Sequence, residues 1–236
     1  MATRGKLIAI EGIDGSGKRT QLDLLSKSLA ELRVPFYGIS FPRYQSSFGQ
    51  LAGRYLNGDF GPLDALDPHL SAILYAGDRF EAKPLLESEL AAGHTVLADR
   101  YIASNLAHQT ARLPAAQQEE FLAWLRHIEY DIYGLPKEDL VLYLRLPASR
   151  AHDLVARKTS REYTALRRDI HEADVRHLEC AAAVYDRLAR QPHWVTVECF
   201  DAARNALRPA KDISREVVAA VTGVLGIESK SRGSAP

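Results

Sequence analysis

The chain has 236 residues, enough for one α/β domain with a sizeable core, and its 30 basic and 30 acidic residues cancel, so no net charge draws it to nucleic acid or a membrane surface. Cys180 and Cys199 give neither a disulfide framework nor metal-ligand spacing and read as buried free thiols in a reducing compartment. With no secretory leader before the first apolar run and no run as long as a membrane span, the expectation is a cytoplasmic protein.

The first strand is expected at 7–10, as Leu-Ile-Ala-Ile. Glu11-Gly12-Ile13-Asp14-Gly15-Ser16-Gly17-Lys18-Arg19-Thr20 follows it and leads into a helical pattern over 21–29. Strand, glycine-rich turn and helix form the context of a phosphate-binding loop. Gly12, Gly15 and Gly17 let the backbone bend until its N–H groups face a polyphosphate, the helix N-terminus adds its dipole, and Lys18 reaches the terminal phosphates. A hydroxyl residue usually follows the lysine. Here Arg19 takes that place, and Thr20 comes one residue later, roughly 100° further round the helix.

A second strand is expected at 34–40, followed by Phe41-Pro42-Arg43, then helices at 46–56 and 68–92. Tyr75 and Arg79 are four apart on the second of these and share a face. An aromatic ring and a guanidinium so placed can stack on and hydrogen-bond a base. The plainer reading is a helix lining the core, with the arginine head reaching back to water. A third strand at 94–98 ends in Asp99-Arg100, where a carboxylate can orient a magnesium ion and an arginine can clamp a phosphate. The plainer reading here is an ion pair tying strand to helix.

Helices at 103–112 and 115–130, a fourth strand at 140–146, helices at 148–158 and 174–190, a fifth strand at 194–197 and a last helix at 213–225 complete the pattern. Strands alternating with helices give an α/β fold with a parallel sheet covered on both faces. Residues 1–227 read as a single domain, and 228–236 as a disordered Ser/Gly/Lys-rich tail. Arg157, Arg161 and Arg168 flank a charged loop that can serve as a lid over 157–171, bringing positive charge to a transferring phosphoryl group. Without more, such a run is a solvated loop, and neither His108 nor His171 earns a role.

Taken together, the landmarks Glu11 to Lys18, Phe41-Pro42-Arg43, Asp78-Arg79, Asp99-Arg100-Tyr101 with Ser104-Asn105, and Gly134-Leu135-Pro136-Lys137 resemble, in order and spacing, those of the thymidylate kinases. Gly-Lys-Arg-Thr at 17–20 is similar to a bacterial subgroup of that family. The resemblance implies a P-loop fold with a five-stranded parallel sheet and a short lid. It also implies ATP-dependent phosphorylation of thymidylate (dTMP) to the diphosphate by direct in-line transfer, with Mg2+, in a homodimer.

Carried over residue by residue, the resemblance assigns the ATP phosphates to Gly12, Ile13, Asp14, Gly15, Ser16, Gly17, Lys18, Arg19 and Thr20. It assigns the acceptor phosphate to Arg43 and Arg100, next to Phe41. Tyr75 would stack on thymine, with Arg79 and Asn105 on its edge. Asp14, Asp99 and Glu172 would serve the metal, with Asp14 and Glu172 also near the acceptor sugar. Arg161 and Arg168 are the catalytic lid cations beside Asp14, Lys18 and Arg100. Three departures stand out. Many members carry an arginine where this chain has Gly15, an aromatic where it has His108, and the subgroup a tyrosine where it has His171. The alternatives are a kinase for another nucleoside monophosphate or a deoxynucleoside, and a nucleotide-binding protein that has lost catalysis.

Overall fold

The computed structural model describes residues 3–62, 65–156 and 175–227. The expected lid with Arg157, Arg161, Arg168, His171 and Glu172, and the tail at 228–236, lie outside the described residues.

Five parallel strands, β1 (Leu7–Glu11), β2 (Phe36–Ser40), β3 (Thr95–Asp99), β4 (Leu140–Arg145) and β5 (Trp194–Glu198), form one sheet in the order β2-β3-β1-β4-β5. The strands read as apolar runs because both faces of the sheet are covered, and Leu7, Ile8, Ala9 and Ile10 are fully buried. The helices are α1 (Lys18–Glu31), α2 (Ser47–Leu56), α3 (Pro68–Ala91), α4 (Ile102–Thr110), α5 (Ala115–Arg126), α6 (Ala148–Ala156), α7 (Val175–Leu188) and α8 (Ala210–Leu225). Helix α1 packs on α8 and on the central strands, α3 packs on β3, and α4 lies between α3 and α7.

The ends of these elements follow their chemistry. Ser46 caps α2 by accepting from the Gly49 N–H, and Asp67 caps α3 by accepting from the His69 N–H. Three expectations need correction. Helix α5 stops at Arg126 and continues as a π-helical turn, His127–Ile132, where a single helix to 130 was expected. A short antiparallel hairpin, Phe200–Asp201 with Ala206–Leu207, was not anticipated, its strands being too short to carry a periodicity. Cys180 is only half-buried, whereas Cys199 is buried.

Register decides what converges. Ser40 lies beside Asp99 and Asp99 beside Ile10, so the C-terminal ends of β2, β3 and β1 are level. The strand order reverses around β1, which is where open α/β sheets bind ligands.

Candidate active site

The loop between β1 and α1 follows from its glycines. Gly17 sits in the left-handed region at φ 91° and forms the N-cap of α1, a conformation that costs glycine nothing. Gly15, at φ 87°, lies so close to α6 that a Cβ would stand 2.5 Å from the Ala151 carbonyl oxygen. The Lys18 ammonium is folded into this loop, donating to the Gly12 and Ile13 carbonyls at 2.8 and 2.9 Å. Burial, seconded by the Arg100 charge and partly offset by Asp14, Asp99 and Glu11, lowers its pKa to about 8. Ser16 Oγ is buried in the loop and makes no hydrogen bond among the described residues. A phosphate oxygen is the acceptor such a hydroxyl needs. Arg19 and Thr20 are exposed, and Arg19 lies along α1 against Asp23 at 3.2 Å. Their side chains are not gathered with Lys18.

Arg100 adopts φ 66°, unusual for a residue with a side chain, and its N–H donates to the Ile10 carbonyl at 3.1 Å. Its guanidinium donates to Asp14 Oδ1 and, at 3.0 Å, to Ser104 Oγ. Burial opposes its charge, but Asp14 and the carboxylates behind it raise its pKa well above the usual arginine range. Arg43 is held in the same manner. Asp78 Oδ2 accepts from the Arg43 N–H at 2.7 Å, and Asp78 Oδ1 accepts from Arg43 Nε at 3.0 Å and from Ser46 Oγ at 2.6 Å. Two guanidiniums, each fixed by a carboxylate, thus stand past the ends of β2 and β3. Phe41 ties these two ends together, its N–H donating to the Asp99 carbonyl and its ring packing on Tyr101.

The carboxylate behind both loops is Glu11, fully buried at the end of β1. Its Oε1 accepts from the N–H groups of Tyr101 and Ser104 at 2.7 and 3.2 Å, at the N-terminus of α4 where negative charge is favoured. Its Oε2 accepts from Ser104 Oγ at 2.6 Å and from the Tyr185 hydroxyl at 2.8 Å.

Arg79 departs from the plainer sequence reading. Its head does not reach water, being 2 % exposed, and donates from Nε and Nη2 to the two oxygens of fully buried Glu129 at 2.6 and 2.5 Å. Asn105 Nδ2 donates to the same carboxylate at 2.8 Å and to the Ala72 carbonyl at 3.0 Å. Tyr75 lies one turn before Arg79 and meets Tyr55 edge-on. His108 is buried on α4, with Nδ1 3.4 Å from His177 Nε2 on α7. Burial first, then the Arg100 charge, pushes its pKa well below the ordinary histidine value, so its ring is neutral near pH 7.

The structure therefore gathers Asp14, Lys18, Arg100 and Asp99 by mutual electrostatics, with Arg43 held by Asp78 past the level end of β2 and with Arg79 and Asn105 on the α3–α4 side. Asp99 is half-buried, and its carboxylate makes no hydrogen bond among the described residues. Two hard oxygen donors suit Mg2+, which keeps water and phosphate oxygens as its remaining ligands. Among the described residues there is no group of three metal-binding side chains.

A family model described as thymidylate kinase matches residues 10–207. The chain belongs to the thymidylate kinase family. The thymidylate kinase of Mycobacterium tuberculosis is 36% identical over 186 residues, covering 78% of this chain and 86% of that one. The human thymidylate kinase is 32% identical over 150 residues, covering 64% of this chain and 65% of that one. A solved thymidylate kinase from Candida albicans superposes with a TM-score of 0.72 at 23% identity, over 94% of this chain and 93% of that one, which bears on the fold.

Sequence reasoning passed over Glu11, Glu129, His177 and Tyr185 as site residues. Glu11 left a signal, a charge closing an otherwise apolar, doubly buried strand. Glu129 left none, because its π-helical turn reads as ordinary helix.

Proposed function

We propose that this protein transfers the γ-phosphoryl group of ATP to the phosphate of dTMP, giving ADP and dTDP. The observation that carries the reading is the pair Arg100–Asp14 and Arg43–Asp78 beside a phosphate loop. Fixed, charged guanidiniums past two strand ends suit an acceptor that already bears a phosphate. Lys18 and the loop N–H groups bind the donor polyphosphate, and Ser16 Oγ donates to it. Arg43 and Arg100 bring the acceptor oxygen into line with the γ-phosphorus, since positioning and charge neutralisation supply most of the catalysis in phosphoryl transfer. Asp14 and Asp99, with Glu172, would hold Mg2+, which neutralises charge on the transferring group.

Tyr75 stacks on thymine, and Arg79 and Asn105 meet its edge. His108 and His171 face the sugar. Arg161 and Arg168 supply the lid cations. Gly-Lys-Arg-Thr at 17–20 supports membership of the bacterial subgroup. The protein acts in the cytoplasm as a homodimer, its substrates being dTMP and ATP rather than nucleic acid or membrane. Among the described residues no helix is long and apolar enough to cross a membrane.

The test is an ADP-release assay with ATP, Mg2+ and a panel of nucleoside monophosphates. Thymidylate should be the preferred acceptor, and thymidine a poor one because it leaves Arg43 and Arg100 without a phosphate. Equal turnover of thymidine and thymidylate would overturn the reading.

A further inference from the structure

The geometry points to Glu129 as the positioning residue that fixes the hydrogen-bonding polarity of the base pocket, and so selects an imide edge over an amidine edge. The inference rests on the thymidylate reading above. Asn105 has two N–H bonds on Nδ2, and both are used, one toward Glu129 Oε1 and one toward the Ala72 carbonyl. Its Oδ1 must therefore face the other way, where it is buried and accepts nothing among the described residues. Flipping the amide would set Oδ1 against the Glu129 carboxylate, acceptor against acceptor. Glu129 also takes the Nε/Nη2 edge of Arg79 in bidentate fashion, leaving Nη1 as the nitrogen with no described hydrogen bond. The buried carboxylate thus aims an Arg79 donor and, together with the Ala72 carbonyl, an Asn105 acceptor.

The matching ligand edge carries a carbonyl next to an N–H. Thymine and uracil present it as C4=O and N3–H. Cytosine presents an amino group and a bare N3, donor and acceptor reversed, and would meet Arg79 donor to donor and Asn105 acceptor to acceptor. A site built for one buried polar pattern rejects its mismatch by a factor on the order of 10⁴. The 5-methyl group plays no part in this discrimination, so dUMP separates edge polarity from pocket shape.

The experiment measures kcat/KM for dTMP, dUMP and dCMP in wild type, Glu129→Gln and Glu129→Asp. In Glu129→Gln the side chain can itself donate, which removes one of the two acceptors, Glu129 and the Ala72 carbonyl, that hold the Asn105 amide in this orientation. The dTMP:dCMP ratio should then fall at least about tenfold while the dTMP:dUMP ratio holds. Glu129→Asp keeps a charge against Arg79, and with it the fold, but loses reach. It should lower the same ratio by less, and it carries the test if the glutamine variant does not fold. A merely structural role would depress all three substrates in proportion. Proportional loss, or an unchanged dTMP:dCMP ratio in a folded variant, overturns the proposal. A wild-type protein that does not phosphorylate dTMP sinks the parent reading instead.

Discussion

Removing the Glu11 carboxylate separates two tasks of one side chain. In Glu11→Ala the hydroxyls of Ser104 and Tyr185, 3.0 Å apart, can hydrogen-bond each other, which re-pairs one of their two O–H donors. The N–H groups of Tyr101 and Ser104 have no such recourse. The first is buried and the second part-buried, and an unmet buried donor costs about 1–3 kcal/mol. Counting the Tyr101 N–H in full and the Ser104 N–H in part gives a loss of about 3 kcal/mol. Glu11→Gln keeps an oxygen at the Oε1 position and turns its amide toward the two hydroxyls, which can accept. Only the charge is lost from the α4 N-terminus, costing about 1 kcal/mol.

Urea unfolding of the two variants should give that order, and the kinetics should follow it. Arg100 is held at φ 66° by its flanking contacts, a conformation worth about 1–2 kcal/mol of strain for a residue with a Cβ. Freeing the Tyr101 N–H lets Arg100 relax and moves the guanidinium away from the acceptor phosphate. The KM for dTMP should rise more than the KM for ATP in Glu11→Ala, and hardly at all in Glu11→Gln. Equal stability of the two variants, or equal effects on both substrates, would refute this reasoning.

Three further outcomes are expected. The folded pKa of Lys18, about 8, lies below its value of 10.5 in the unfolded chain, so the stability it contributes rises as pH climbs from 8 toward 10.5; ATP binding needs its charge and should weaken about tenfold per pH unit above 8, measured by titration calorimetry with a Lys18→Met control. Glu138, buried against the Tyr130 hydroxyl, has its pKa raised from 4.5 to about 7, chiefly by burial; the stability this gives is full below pH 4.5 and lost as pH rises through 7, so Glu138→Gln should flatten that dependence and gain up to about 3 kcal/mol at pH 8 in chemical unfolding. Gly15→Ala and Gly15→Arg should lose similar stability, about 2–4 kcal/mol by thermal unfolding, because the shared Cβ does the damage; a neutral Gly15→Ala would refute both the contact with α6 and the backbone strain at this position.

The sheet was legible because its strands are buried on both faces and announce themselves as unbroken apolar runs, Leu7–Glu11 most plainly. The phosphate loop was legible because its glycines are demanded by backbone geometry. Arg43 and Arg100 stood out because each closes a strand, Arg100 as a candidate phosphate clamp and Arg43 through the resemblance. What holds them could not. Asp78 is 35 residues from Arg43, and Asp14 is 86 from Arg100. A polar side chain on a helix has a default reading, a solvated face, and only tertiary contact reverses it. Arg79 shows the cost. Its reading as a snorkelling arginine was reasonable while Glu129 stood 50 residues away inside what looked like a continuous helix. The π-helical turn that carries Glu129 has no periodicity of its own, and π-turns of this kind are common at functional sites.

Gly15 shows how a missing cation can be a structural requirement. This chain packs α6 against the phosphate loop at Gly15, with the Ala151 backbone in the space a Cβ would fill. Positive φ at Gly15 adds to the exclusion, since even a loosened α6 would leave a side chain there strained. A cation for the transition state must then come from the lysine already in the loop, from the guanidiniums past β2 and β3, or from beyond the end of α6. Lys18 is read as serving the donor polyphosphate, and Arg43 and Arg100 are fixed by Asp78 and Asp14 past the ends of β2 and β3. The proposed lid cations, Arg161 and Arg168, belong to the arginine-rich sequence that follows α6. The contact that forbids a side chain at Gly15 also fixes the helix from which that segment departs. On the proposed lid role, the loss of charge in the loop and the helix that leads to its substitute thus trace to one packing interaction.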